Sequence, residues 1–232
     1  GNRAVVFAED SIRVQATDDT EVDAIVITGS GGAVGVSGSV GVYTIKSSTS
    51  ATIGDNATIT ALAEDAGGGM AVASGSVDNS TTTIVSKATR DRDNNTTTDN
   101  FTVVSASFDN QTTRGLSIAA VTYEDINFAP IGVAGGAVGV AGVVATTVSQ
   151  STTKASLGNG TTVNANNTGA GANQDVRLLA ASETSLNNIS AGIGGGAVGV
   201  TFDIDTQIFK KTVTAEMLGD ATATNDVSVA AK

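Results

Sequence analysis

The hexapeptide Gly-Gly-Ala-Val-Gly-Val occurs three times without a mismatch, at residues 31–36, 135–140 and 195–200. The offset between the first two copies is 135 − 31 = 104, and the offset between the second and third is 195 − 135 = 60. Downstream of the first two copies the similarity continues without a gap, ending on IGDNATITA at residue 61 and on LGNGTTVNA at residue 165. A motif that keeps a constant phase is typical of proteins built by stacking similar units.

A second motif, aliphatic-x-aliphatic-x-Ala, precedes each hexapeptide by the same distance. Its alanines are Ala16, Ala120 and Ala180, and the differences 31 − 16, 135 − 120 and 195 − 180 all equal 15. Turn-forming runs rich in Gly, Asn and Asp separate the strand-like segments. We therefore predict an all-β chain with the fold of a parallel β-helix (β-solenoid), and we interpret the 60-residue period as three coils of about 20 residues each.

Around the hexapeptides, aliphatic and small residues alternate with a period of two, which is typical of strands. We predict that the valines point into the solenoid core, where they join stacked aliphatic residues from further along each copy. The predicted repeat core comprises Val34, Val36, Ile53, Ile59, Val138, Val140, Leu157, Val163, Val198 and Val200.

The small residues of the same alternation are predicted to face outward. They are Ala33, Gly35, Gly139 and Gly199. A strand face without large side chains lets another sheet or chain approach closely, so these four residues form a candidate lateral packing face. The alternative is that they relieve crowding at a narrow corner of the coil.

The chain is interpreted as one continuous segment, residues 1–232, and as part of a longer repeat array, because both ends resemble ordinary repeat sequence. One stretch, residues 67–100, departs from the rhythm. Its most polar part, residues 90–99, is predicted to project as a loop from one edge of the solenoid.

The composition excludes several classes of function. The chain contains no Cys and no His, which excludes disulfides, ordinary zinc sites and Ser-His-Asp or Cys-His catalysis. The net charge of −11 argues against a nucleic-acid partner, because a phosphate backbone requires a basic surface. No apolar run reaches the roughly 18 residues that a membrane helix needs, so we expect no membrane span in this chain.

The GGAVGV boxes and the IGDNATITA run resemble repeats of very large bacterial surface proteins of the filamentous-haemagglutinin and autotransporter-adhesin type. The resemblance covers most of the chain apart from residues 67–100. It implies a right-handed parallel β-helix, a location outside the cell or on the bacterial cell surface, and a role in adhesion or biofilm cohesion. These motifs are specific to an architecture rather than to an activity.

Acidic residues provide two weaker candidates. Calcium could bind at the acidic clusters in residues 18–23, 91–99 and 124–125, because carboxylate oxygens are its preferred ligands. Asp203 and Asp205 form a carboxylate pair inside a strand-like run, as in solenoid polysaccharide lyases and hydrolases, and alternation is expected to place both on the outward face. Such pairs more often block edge pairing of strands. We therefore assign no catalytic, cofactor-binding or metal-binding residue.

Two functions remain open. In the first, the chain is a structural and adhesive segment of a bacterial extracellular adhesin, it is not an enzyme, and its partner is a host or matrix surface. In the second, the chain is the subunit of a self-assembling extracellular fibre or biofilm filament, and its partner is another copy, bound end to end or side by side.

Overall fold

The computed structural model describes residues 3–64, 68–90 and 96–232. These residues form strands and no helix, in keeping with a sequence rich in β-branched residues and in glycine. In chain order the strands are β1 (Val5–Ala8), β2 (Ile12–Ser30), β3 (Val34–Ile53), β4 (Thr58–Ala61), β5 (Met70–Arg90), β6 (Thr96–Thr113), β7 (Gly115–Ala134), β8 (Val138–Leu157), β9 (Thr162–Val163), β10 (Asp175–Asn188), β11 (Ala191–Gly194), β12 (Val198–Met217), β13 (Asp220–Ala221) and β14 (Val227–Ala231).

The strands pair in parallel with their equivalents in the other copies. In the first group β7 lies between β2 and the consecutive strands β10 and β11, and β14 pairs with β10. In the second group β8 lies between β3 and β12. We name these groups sheet B and sheet C, and the short strands β1, β4, β9 and β13 form sheet A. The prediction of an all-β chain with parallel strands is confirmed.

The predicted coil length of about 20 residues is wrong. Leu116 pairs with Val176 and Glu124 pairs with Thr184, a step of 176 − 116 = 60 residues. Even the shortest step between paired parallel strands, from Val176 to Val227, is 227 − 176 = 51 residues. Twenty residues is instead the length of one long strand, such as β7 or β8. One repeat, which we call a rung, therefore contributes one long strand to sheet B and one to sheet C.

The larger offset of 104 residues has a simple origin. The pair β5 and β6 forms an antiparallel hairpin that spans 113 − 70 + 1 = 44 residues, and 104 − 60 is also 44. The hairpin is therefore an insertion into one ordinary rung. Most of the stretch expected to be irregular belongs to this hairpin, whereas residues 91–95, in the middle of the expected projecting loop, lie outside the described residues.

The end of sheets B and C that adjoins sheet A, which we call the base, contains the aliphatic core. Leu116, Ile118 and Leu178 of sheet B are completely buried against Leu157 of sheet C. From the predicted core, four residues lie in this cluster: Ile53, Ile59, Leu157 and Val163. Burying a side chain of this size stabilises a fold by about 1.5–3 kcal/mol. The base therefore contains the stacked aliphatic core that the sequence predicts.

The opposite end, where β2 turns into β3, β7 into β8 and β11 into β12, has the reverse arrangement. We call this end the tip. Here Ser37 and Ser39 are buried between the sheets, whereas Val34 and Val36 are 65% and 67% exposed. Six residues of the predicted core are thus not buried. Four are exposed, namely Val34, Val36, Val198 and Val200, and two are half-buried, namely Val138 and Val140.

The predicted lateral packing face is also corrected by the structure. Gly35 and Gly139 point inward and are buried, and only Ala33 and Gly199 are exposed. A Cβ atom on Gly139 would lie 2.6 Å from the Gly195 carbonyl oxygen and 2.9 Å from that of Ala134. The close approach that glycine permits is therefore between sheets B and C of the same chain, and it makes the tip thin.

Candidate functional site: the outer faces and the buried polar belt

The outer face of sheet C at the tip is apolar across all three strands. Because small residues occupy the inward positions, alternation directs the large aliphatic residues of β3, β8 and β12 to solvent. Paired residues form ladders, such as Val36–Val140–Val200. We call this surface the outer valine face, and its members with more than half of their area exposed are Val34, Val36, Val40, Val42, Val198, Phe202 and Ile204.

The outer face of sheet B has two zones between the hairpin, which packs on its lower part, and the tip. Nearest the tip it is apolar, with Ile25, Ile27, Ile189 and Ile193 all more than half exposed. Below them lie three rows that carry carboxylates. We call these the acidic rows, and their carboxylates belong to Asp19, Glu21, Asp23, Asp125 and Glu183.

The acidic rows perturb their own ionisation. Burial, and then the charges of Asp18 and Asp125, raise the pKa of Asp19 above its ordinary value of 3.8. Burial also raises the pKa of Tyr123, which lies between Asp19 and Glu183 and is only 2% exposed. Like charges held this close repel one another, so the rows attract cationic groups.

A row with a lysine at each end crosses the outer face of sheet C at the corresponding height, and we call it the lysine row. Lys46, Gln150 and Lys210 are paired neighbours there, and they line a shallow depression of about 310 Å³. Across the interior, Ser149 faces Glu124 at 2.7 Å. Since neighbouring residues point to opposite faces, Gln150 and Tyr123 lie at the same height on the two outer surfaces.

Between base and tip, the interior is polar. Thr122 Oγ1 lies 2.8 Å from the hydroxyls of both Thr49 and Thr153. Directly above, the Glu124 carboxylate is completely buried. It accepts hydrogen bonds from the hydroxyls of Ser47, Ser149 and Thr184, at 2.8, 2.7 and 2.9 Å respectively. We call this group the polar belt.

Lys211 supplies the counter-charge of the polar belt. Its Nζ lies 3.8 Å from Glu124 Oε2 and donates a hydrogen bond to Ser182 Oγ at 3.2 Å. Burial lowers the pKa of Lys211, and the charges of Glu124 and Glu183 oppose that shift. Lys211 also lines an open cavity of about 510 Å³ between β10 and β12, together with Phe209. Because three hydroxyls donate to the Glu124 carboxylate and Thr122 bonds to two further hydroxyls, the belt is a satisfied structural network rather than a vacant site.

The carboxylate pair Asp203 and Asp205 lies on the inward side of β12, not on the outward face that alternation was expected to give. Both residues are exposed, and β12 is an edge strand of sheet C. Asn188 donates a hydrogen bond to Asp205 at 2.7 Å. No shared reacting position between two carboxylates emerges from these contacts.

Strand alternation divides the candidate calcium clusters. Asp18 and Asp19 point to opposite faces of β2, and Glu124 points inward where Asp125 points outward. Among the described residues, no three acidic side chains converge as a metal site would require. Residues 91–95 of the cluster at 91–99 lie outside the described residues.

Sequence reasoning missed the outer valine face, the lysine row and the polar belt. A parity argument could have found the first. Val34 and Ile53 are 53 − 34 = 19 positions apart, an odd number, so they cannot point to the same side of one uninterrupted strand. The belt carried no local signal, because its members come from three rungs and two sheets.

Comparison of the chain with protein-family models finds no match, and comparisons with curated proteins and with solved structures find no significant similarity. Within the described residues, no helix is long and apolar enough to cross a membrane. The class of protein is therefore defined by geometry alone, as an all-β chain with stacked parallel strands and two exposed apolar faces.

Proposed function

We propose that the chain is a non-catalytic structural and adhesive segment of a bacterial extracellular surface adhesin, wound as a right-handed parallel β-solenoid of 60-residue rungs. The observation that carries the proposal is the unbroken register: β3, β8 and β12 pair residue by residue over their whole length. A structure of this kind is extended by adding rungs, which is how long surface proteins are built. The resemblance of the repeats to those of bacterial adhesins agrees with it.

The dimensions favour display of surface over gain of length. Each added rung lengthens the stack by one strand spacing, about 4.8 Å, whereas a strand of about 20 residues extends across it for about 66 Å. A solenoid with 20-residue coils gains the same length with a third of the residues. A 60-residue rung thus uses many residues for each ångström of stack length, but it presents two broad outer faces. We infer that these faces make the adhesive contact.

Adhesion is tested with beads that carry the folded chain, applied to cultured host cells and to surfaces coated with extracellular-matrix proteins. The expected result is retention of these beads above the level of beads that carry an unrelated acidic protein. The matched control is the variant Val36→Lys/Val40→Lys, whose exposed positions allow folding but disrupt the outer valine face. Retention equal to that of the unrelated protein on every surface would remove the adhesive role.

A second candidate function is the subunit of a self-assembling extracellular fibre or biofilm filament. The exposed apolar residues on both outer faces favour it, because contiguous apolar surface of this size usually marks an interaction site. Filaments visible by negative-stain electron microscopy support this candidate, whereas a chain that stays monomeric at high concentration supports an isolated display segment.

A polysaccharide-cleaving solenoid is the least favoured alternative. It requires Asp203 or Asp205 to act as an acid, base or nucleophile. If the purified chain degrades bacterial or host polysaccharides, and Asp203→Ala or Asp205→Ala removes that activity, the non-catalytic proposal is wrong.

A further inference from the structure

We propose that a second copy of this chain covers the exposed apolar surface, with the outer valine face of one copy docked on the upper outer face of sheet B of the next, and both tips at the same end. The inference rests on the second candidate function and specifies the surfaces that such an assembly uses. Neither of these surfaces is the lateral packing face expected from the sequence, whose Gly35 and Gly139 are buried within the chain.

The apolar area is large enough to serve as an interaction surface. From residue 34 to residue 42, nine residues across three strands cover about 30 Å by 14 Å, or roughly 420 Å² of flat surface, at about 3.3 Å per residue and 4.8 Å per strand. That is as large as the largest apolar patch on a typical monomer. The isoleucines on the outer face of sheet B add a second patch at the same height.

Charge identifies the partner of each face. Below its apolar zone the outer face of sheet B carries the acidic rows, and at the same height the outer face of sheet C carries Lys46 and Lys210. Docking sheet C on sheet B with tips aligned places aliphatic residues against aliphatic residues and the lysine row against the acidic rows. Docking sheet B on sheet B would set carboxylates against carboxylates, which costs several kcal/mol (order of magnitude) in a close interface.

The hairpin sets the lower limit of the docking surface. Its base covers the outer face of sheet B below the acidic rows, where Ala73 packs with Ala119 and Leu179 and accepts a hydrogen bond from Arg177 at 3.0 Å. With the tips aligned, the lower part of the partner's sheet C faces the hairpin, so direct contact between the two sheets is confined to the upper part. Because the two docking faces differ, the contact is head to tail and continues as an open stack.

A lipid bilayer fits the same apolar residues less well. Among the described strands β3 pairs with β8 alone, so one of its edges presents unpaired backbone groups along the tip. Such groups cost several kcal/mol each in hydrocarbon, whereas an aqueous stack leaves them hydrated. Insertion into lipid also does not explain why the lysine row on sheet C and the acidic rows on sheet B lie at the same distance from the tip.

The decisive experiment uses two variants that each lack one face. Val36→Lys/Val40→Lys blocks sheet C, and Ile25→Lys/Ile27→Lys blocks sheet B, all at exposed positions. The matched control, Ser48→Lys/Thr52→Lys, adds the same charge lower on the same outer strand face. Sedimentation velocity is expected to show open association of the unmodified chain and of the control, monomers for each blocked variant alone, and a 1:1 pair when the two are mixed.

Charge reversal and lipid vesicles complete the test. Lys46→Glu/Lys210→Glu should weaken association about tenfold or more, and Asp19→Lys/Glu183→Lys in the partner should restore it. The proposal is wrong if the unmodified chain stays monomeric, if either blocked variant still self-associates, or if the mixture does not pair. Flotation of the monomer with phosphatidylcholine vesicles would instead assign the apolar faces to lipid. Beads that adhere although the chain is monomeric would retain the adhesive function and overturn only this inference.

Discussion

The base and the tip of the same two sheets use one alternation in opposite ways. At the base the inward positions hold Leu116, Ile118 and Leu157, and the fold has an aliphatic core. At the tip the inward positions hold Gly35, Ser37 and Ser39, and the valines between them face solvent. The difference teaches that alternation identifies the two faces of a strand but does not reveal which face is inside.

The largest expected difference between base and tip concerns stability. Leu178→Ala empties a fully buried position at the base and should lower the free energy of unfolding by about 2–5 kcal/mol. Val36→Ala, at the exposed outer valine face, should change it by less than about 0.5 kcal/mol. Urea unfolding followed by circular dichroism measures both, and equal losses would mean that the valines are core residues after all.

The boundary between the two halves is tested at the polar belt. Glu124→Gln removes the buried charge to which three hydroxyls donate hydrogen bonds and which Lys211 balances, and should cost about 1.5–3 kcal/mol. The matched variant Glu183→Gln, in the exposed acidic rows, should be neutral or slightly stabilising. The same unfolding experiment applies, and a harmless Glu124→Gln would show that the belt is hydrated rather than buried.

Thinness of the tip is tested with two glycines of different orientation. Gly139→Ala places a methyl group against the backbone carbonyl oxygens of Ala134 and Gly195 and should cost about 1–3 kcal/mol. Gly38→Ala, whose Cβ meets nothing within 4 Å, should be tolerated. Thermal unfolding distinguishes the variants, and a neutral Gly139→Ala would mean that sheets B and C are further apart at the tip.

The smallest expected effect depends on pH. The pKa of Asp19 is raised, so the folded chain binds this proton more readily than the unfolded chain, and the resulting stability is present below pH 3.8 and lost as pH rises through the folded pKa. Asp19→Asn should therefore add a few tenths of a kcal/mol at neutral pH, given its exposure, and nothing well below pH 3.8. A gain that is equal at both pH values would assign the effect to packing instead.

The repeat spacing predicted more of the fold than the side-chain pattern did. The offsets of 104 and 60 residues reappear as the strand registers, because parallel stacking places equivalent residues side by side. The two offsets differ by 104 − 60 = 44 residues, which is the length of the inserted hairpin. The coil size was mistaken because the 60-residue period was divided into three coils of about 20 residues, whereas 20 residues is the length of a single strand such as β3.

The surfaces could not be derived in the same way. Whether Val36 is inside depends on how closely sheets B and C approach, and that distance is set by residues from another rung, such as Gly139 and Gly195. The height match between Lys46 and the acidic rows depends on which residues face each other across the interior. Both depend on contacts between residues that are far apart in the sequence, and the spacing of the repeats does not specify such contacts.

The central claim, that the valines of the tip face outward on a 60-residue rung, is tested most directly by cysteine accessibility. The chain contains no Cys, so single variants can be labelled cleanly with a thiol reagent in dilute solution. Val40→Cys should react nearly as fast as unfolded chain, and Ser39→Cys, at a position 2% exposed, should be protected. Rapid labelling of Ser39→Cys together with protection of Val40→Cys would contradict the account.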